Sequence, residues 1–150
     1  MRALLPAGVI AFVLVAGGCN GSDGPGDVRN AALLQTCGPT DGPAVTLFLT
    51  EQPASAEWPE RPYSAITVYR DIAGVAGKRF DVSATSGSVG QGFVCPETGD
   101  CETASSASVT FGQLASDSTI AAEFRVSLAG NEIVRGSARA RYHPLSQLCG

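Results

Sequence analysis

The sequence predicts an all-β protein, an antiparallel β-sandwich or small β-barrel of about six to eight strands with two disulfides. Three observations lead there. From residue 37 onward, short runs alternate apolar and polar side chains with period two, which sets one face of each strand against a core and the other toward water. Turn residues recur at short intervals and no helical pattern of ten residues or more separates the runs, which argues against a parallel α/β sheet. Four of the five cysteines lie at Cys37, Cys95, Cys101 and Cys149, an even set suited to pairing.

The runs follow in order. Residues 28–35 (VRNAALLQ) are too brief to assign by period and fit either a short helix or a first strand. Residues 44–50 place Val45, Leu47 and Leu49 on one face. In 63–70, Ser64, Ile66 and Val68 alternate with Tyr63, Ala65, Thr67 and Tyr69, so both faces are expected to be partly covered. Residues 79–84 turn Phe80, Val82 and Ala84 inward, 91–95 form a shorter strand, and 103–111 line up Ala107, Val109 and Phe111. The clearest unit is last. Residues 118–128 and 132–142 form a hairpin around Ala129-Gly130-Asn131, whose glycine and asparagine tolerate positive φ. Its second strand carries Arg135, Arg139 and Arg141 on one face.

For the disulfides, the favoured pairing is Cys95 with Cys101 and Cys37 with Cys149. Pro96 and Gly99 suit a tight turn between the first pair. The second pair stands near the two ends of the folded region, and chain ends are often close in space. A metal or redox site at Cys95 and Cys101 is disfavoured because the spacing is C-x5-C rather than C-x2-C. Glu97, Asp100 and Glu102 lack the spacing of a calcium loop.

The N-terminal segment is of another kind. Arg2 followed by the apolar run Leu4 to Val15 has the charge and length of a secretory leader and is too short to span a bilayer. The stretch Val15-Ala16-Gly17-Gly18-Cys19 resembles the lipobox of bacterial lipoproteins, with Ala16 where leucine is usual. The resemblance covers the leader alone. It implies a signal peptide over 1–18, a diacylated Cys19 as mature N-terminus, and partnership with the membrane through that lipid, since two or more acyl chains anchor stably where one does not. Removing Cys19 from the count leaves the even set of four, whereas ordinary secretory cleavage would leave an odd thiol. Asn20 is not the aspartate that retains some lipoproteins in the inner membrane, so a Gram-negative host would carry the protein on its outer membrane. The glycine-rich residues after Cys19 read as a flexible tether, giving a division into leader 1–18, lipidated cysteine and tether 19–36, and all-β domain 37–150.

Functional chemistry is sparse. The net charge of -4 argues against a nucleic-acid partner, which a basic patch would attract. With His143 the only histidine, mechanisms requiring two are excluded, and neither a G-x-S-x-G elbow nor a phosphate-binding loop occurs. No catalytic residue, metal ligand or cofactor is therefore assigned, and His143 reads as an edge residue. Glu123, between alanines and Arg125, reads as a surface acid paired across the hairpin. Two features bear on binding. The Arg135, Arg139 and Arg141 stripe suits a carboxylate, sulfate or phosphate, against a solvated face neutralised by Glu123 and Glu132. Trp58, in the extended segment Trp58-Pro59-Glu60-Arg61-Pro62-Tyr63, suits a sugar or a partner protein, against a role as a lid over the open end of the core. The expected function is thus an exported, lipid-anchored envelope protein with a non-catalytic interaction or structural domain. The alternatives are a module binding polysaccharide or a small anion and, by fold-level analogy only, a small hydrolase or enzyme inhibitor.

Overall fold

The computed structural model describes residues 30–53, 55, 57–85, 87–144 and 149. The leader, Cys19 and the tether up to residue 29 lie outside the described residues. The described chain forms β1 (Asn30–Cys37), β2 (Pro43–Thr50), β3 (Tyr63–Val68), α1 (Ile72–Val75), β4 (Arg79–Ser83), β5 (Gly90–Cys95), β6 (Glu102–Thr103), β7 (Ser106–Phe111), β8 (Thr119–Leu128) and β9 (Asn131–His143). The all-β class and the two disulfides are as expected from the sequence.

Four details differ. The described strands number nine rather than six to eight, and they belong to one curled sheet, a half-barrel in the order β4-β7-β8-β9-β1-β2-β3-β5-β6, not to a two-sheet sandwich. The sheet is mixed, because β1 lies parallel to β9 while every other pair is antiparallel. Residues 30–36, expected at the end of the tether, are instead most of β1. Their sequence NAALLQT is apolar on both faces, and Ala31 to Leu34 are all buried, a burial no tether would give. Finally, the expected strand at 103–111 is broken at Ala104 and Ser105, so that β6 pairs with β5 and β7 with β4 and β8.

The inner face of the curl holds the core. Leu33, Val45, Leu47, Ile66, Val68, Val109 and Val126 are fully buried there, with Phe111 edge-on to Phe80 at 6.4 Å. The one-turn helix α1, capped by the Asp71 carboxylate accepting from the Gly74 amide, inserts Val75 into this core. Across the open seam, β5 approaches β4 and β7 through residues with little or no side chain. A Cβ on Gly90 would fall 2.1 Å from the Thr67 carbonyl oxygen of the paired strand and 3.1 Å from Val82 Cγ1 across the seam, and one on Gly92 would fall 2.9 Å from Ala104 and 3.0 Å from Ala107. These small residues let the sheet curl this tightly.

Parallel pairing also explains the long disulfide. β1 and β9 run the same way, with Leu34 beside His143, so their C-terminal ends come together. Cys149 then meets Cys37 with Cα atoms 5.5 Å apart, and Cys95 meets Cys101 at 4.2 Å.

Candidate ligand groove on the outer sheet face

In a curled sheet with its core inside, period two sends alternate side chains outward, where polar residues are expected. Over β4, β7, β8 and β9 this holds: Arg79, Asp81, Ser108, Thr110, Glu123, Arg125, Arg135, Ser137 and Arg139 face out. Over β2, β3 and β5 it does not. The register sets Phe48 opposite Ala65 and Thr46 opposite Thr67 on one side of β3, with Phe93 opposite Ala65 and Gln91 opposite Thr67 on the other. Phe48 is fully buried although its face is the outer one. With Leu34, Ala65 and Tyr63 it makes a second apolar cluster, separate from the core.

The cover over Phe48 is Trp58. Its ring lies edge-to-face on Phe48 with centroids 4.6 Å apart at 69°, and Tyr63 stands edge-on to the same ring at 5.4 Å. The Trp58 indole Nε1 donates to the Tyr63 hydroxyl at 2.9 Å. Thus fixed on two sides, Trp58 is still 61 % exposed, the most exposed large apolar side chain among the described residues. The segment therefore does not fold back over the open end of the core. It lies across the outer face instead, where Phe48 and Tyr63 offer an apolar seat.

From Trp58 a groove of about 650 Å³ runs along β3 to Tyr69 and Pro39. Its floor is small and hydroxylic. Thr46 Oγ1 is 3.1 Å from Thr36 Oγ1 and 2.9 Å from Thr67 Oγ1, a chain of three hydroxyls across three strands. Phe93 and Gln91 flank it, and the Cys95–Cys101 bridge borders the Trp58 end. Arg61 ties that end together by donating to the Gly99 carbonyl and, at 3.3 Å, to Cys101 Sγ. The lining includes no Lys, Arg, Asp, Glu or His among the described residues. Burial pushes the Tyr69 phenol above its ordinary value, so it too stays neutral.

The arginine stripe is arranged differently. Arg125 and Arg135 are directly opposite in register, and Glu132 bridges them at 2.8 Å and 3.9 Å. Arg139 donates to Thr119 Oγ1 at 3.0 Å, and Arg141 pairs in register with Thr119 on one side and Ala32 on the other. Arg79 is bound to Asp81. The acids Asp81, Glu123 and Glu132 are interleaved with these cations on a broad, solvated face. Among the described residues, this face carries depressions of about 480 and 510 Å³, smaller than the groove.

No protein-family model, curated protein or solved structure matches this chain.

Of the residues singled out in the sequence, Trp58 belongs to the groove, and none of the three arginines lines it; Arg141 comes nearest, in one register row with Ala32 and Phe48. Cys95 and Cys101 are both a disulfide and a wall of the groove. His143 is half-buried at the C-terminal end of β9, a central strand of the sheet, where it pairs in register with Leu34 rather than standing at an edge. No group of three or more His, Cys, Asp or Glu side chains among the described residues is placed to hold a metal ion. Sequence reasoning missed Phe48, Phe93, Gln91 and the threonine chain. The available signal was the apolar Phe48 and Phe93 at positions where alternation calls for polar residues, next to a β3 run already apolar on both faces.

Proposed function

We propose that this is an exported, lipid-anchored envelope protein whose β-domain is a non-catalytic binding module, with the groove beside Trp58 as its ligand site. The leader and the lipobox-like residues before Cys19 support the export and the anchor. The observation that carries the binding role is Trp58 itself. It is a large aromatic held in place from two sides yet open to solvent, at the mouth of a mostly apolar cavity whose size and few polar groups suit a small-molecule or chain-like ligand. A small anion at the arginine stripe is the weaker reading, because acids already neutralise much of that face.

Two experiments test this. Mass spectrometry of the chain extracted from bacterial membranes should find Cys19 acylated at the N-terminus, and Cys19→Ser should leave the protein in the soluble fraction; an unmodified N-terminus overturns the anchor. For the site, the apolar dye N-phenyl-1-naphthylamine should brighten on mixing with the full chain in mild detergent below its micelle concentration. Trp58→Ala should abolish that response and the triple variant Arg135→Ala, Arg139→Ala, Arg141→Ala should preserve it. The opposite pattern would move the site to the arginine face.

A further inference from the structure

Resting on the reading of the groove as a ligand site, we infer that its ligand is a neutral oligosaccharide, laid along β3 from Trp58 to Tyr69. Three features of the groove select this chemistry. The first is charge: without a carboxylate, ammonium, guanidinium or imidazole among its described lining residues, the groove offers nothing to balance a sulfate, uronate or phosphate. Arg61, at the rim, already donates to the disulfide loop.

The second is the hydrogen-bonding stock. Three hydroxyls carry three donors, and the two contacts within the Thr36, Thr46 and Thr67 chain use two of them. One donor and several lone pairs remain, next to the amide of Gln91, which the register sets beside Thr67. The Tyr63 hydroxyl accepts from Trp58 and keeps its own proton to donate. This is a mixed donor and acceptor set without formal charge, which complements hydroxyls better than it does a purely apolar ligand.

The third is the placement of the aromatics. The Trp58 and Tyr63 end and Tyr69 bracket the threonine floor, and Tyr63 to Tyr69 spans on the order of 20 Å of extended chain at ~3.4 Å per residue. An aromatic platform at each end of a polar floor suits a short chain of rings, with the C–H faces of the end sugars stacked on the platforms and hydroxyls turned to the floor. A single ring would leave one platform empty.

Trp58 is the only tryptophan of the chain, so its emission reports on this site alone. The experiment titrates the full chain with neutral gluco-, manno- and chito-oligosaccharides from disaccharide to hexasaccharide, with uronic-acid and sulfated oligomers and an uncharged extended peptide as comparisons, and with N-phenyl-1-naphthylamine as a probe of the groove itself. At least one neutral series should shift Trp58 emission and displace the dye, with affinity rising with chain length. Gln91→Leu and Thr67→Val should each weaken that sugar about tenfold or more, a larger loss than either causes in dye affinity, with a thermal midpoint near that of the parent. Because Gln91 is half-buried on the groove wall, its variant remains informative where replacing Thr67 disturbs the sheet. Dye binding lost with Trp58→Ala, but no response to any neutral sugar, overturns the inference and leaves the groove as a ligand site. Tighter binding of charged oligomers, or displacement of the dye by the peptide alone, also overturns it. Silence of both dye and sugars overturns the inference together with the reading beneath it.

Discussion

Trp58 shows how an exposed side chain can be an ordered one. Its Nε1 donor is matched by the Tyr63 hydroxyl and its ring edge by Phe48, so binding a ligand there costs little further side-chain ordering. Aromatic pairs of this kind contribute about 0.5–1.5 kcal/mol beyond their area. Other single residues mark where the local rules are strained or tuned. Ala129 sits at φ 49° in the two-residue turn between β8 and β9, followed by Gly130 at φ 82°, as a type I′ turn requires. Alanine pays a left-handed cost of about 1 kcal/mol that asparagine largely avoids. Ala129→Asn should therefore raise the urea midpoint by the equivalent of ~0.5–1 kcal/mol at unchanged m-value; an unchanged or lower midpoint would show the turn is not limiting. Asp117 precedes β8 and accepts from the Thr119 hydroxyl at 2.6 Å and the Thr119 amide at 3.1 Å. The side-chain hydrogen bond from Thr119, then the backbone one, holds its carboxyl below the ordinary range. A depressed carboxylate contributes stability that is fully present above its unfolded value of ~3.9 and is lost as pH falls through the folded value. The carbon-13 titration of Asp117 should thus have its midpoint below that of an unperturbed aspartate, and Thr119→Val should move it upward. An Asp117 midpoint insensitive to Thr119→Val would remove the hydroxyl as the cause.

At the scale of elements, what distinguishes the two halves of the sheet is which face each strand leaves open. The hairpin of β8 and β9 was legible in detail, because strict alternation over ten residues and a Gly130 turn leave one register that buries Ile120, Ala122, Phe124 and Val126 together. Ile133 is unpaired where the register shifts between Val126 and Ser127, a detail that alternation does not carry. β2, β3 and β5 were found as strands, yet the meaning of their second face was not. Alternation says which residues share a face, whereas burial of Phe48 depends on Trp58 arriving from a segment ten residues away. β1 was ambiguous for a similar reason: a strand apolar on both faces has no period to detect. The curl itself rests on absent side chains. Gly92 is where β5 passes Ala104 and Ala107, so Gly92→Val should push β5 off β7 and cost about 1–3 kcal/mol by overpacking, read as a fall in melting temperature. Since Gln91 and Phe93 flank that position on the outer face, the same variant should weaken dye binding in the groove; a variant as stable as the parent would mean the seam is loose.

For the molecule as a whole, both disulfide pairings were legible from loop length and turn residues, while the parallel pairing of β1 with β9 and the single half-barrel were not, because strand order depends on contacts between chain ends that no local pattern encodes. The two bridges do different work. Cys37–Cys149 spans 112 residues and fastens the strands that meet in the middle of the sheet; in the chain-entropy model it stabilises by about 5 kcal/mol, whereas closure over the six residues of Cys95–Cys101 contributes only about 2 kcal/mol. The short bridge also shapes the Trp58 end of the groove, because Arg61 holds the 99–101 loop and Arg61 lies three residues from Trp58. Replacing Cys37 and Cys149 by serine should therefore lower the denaturation midpoint most while leaving Trp58 emission, at the other end of the groove from Cys37, close to that of the parent under native conditions. Replacing Cys95 and Cys101 should lower the midpoint less but shift Trp58 emission and weaken the dye severalfold. Equal losses of stability from the two pairs would contradict the loop-length argument, and an unaltered Trp58 signal after loss of Cys95–Cys101 would separate the disulfide loop from the binding site.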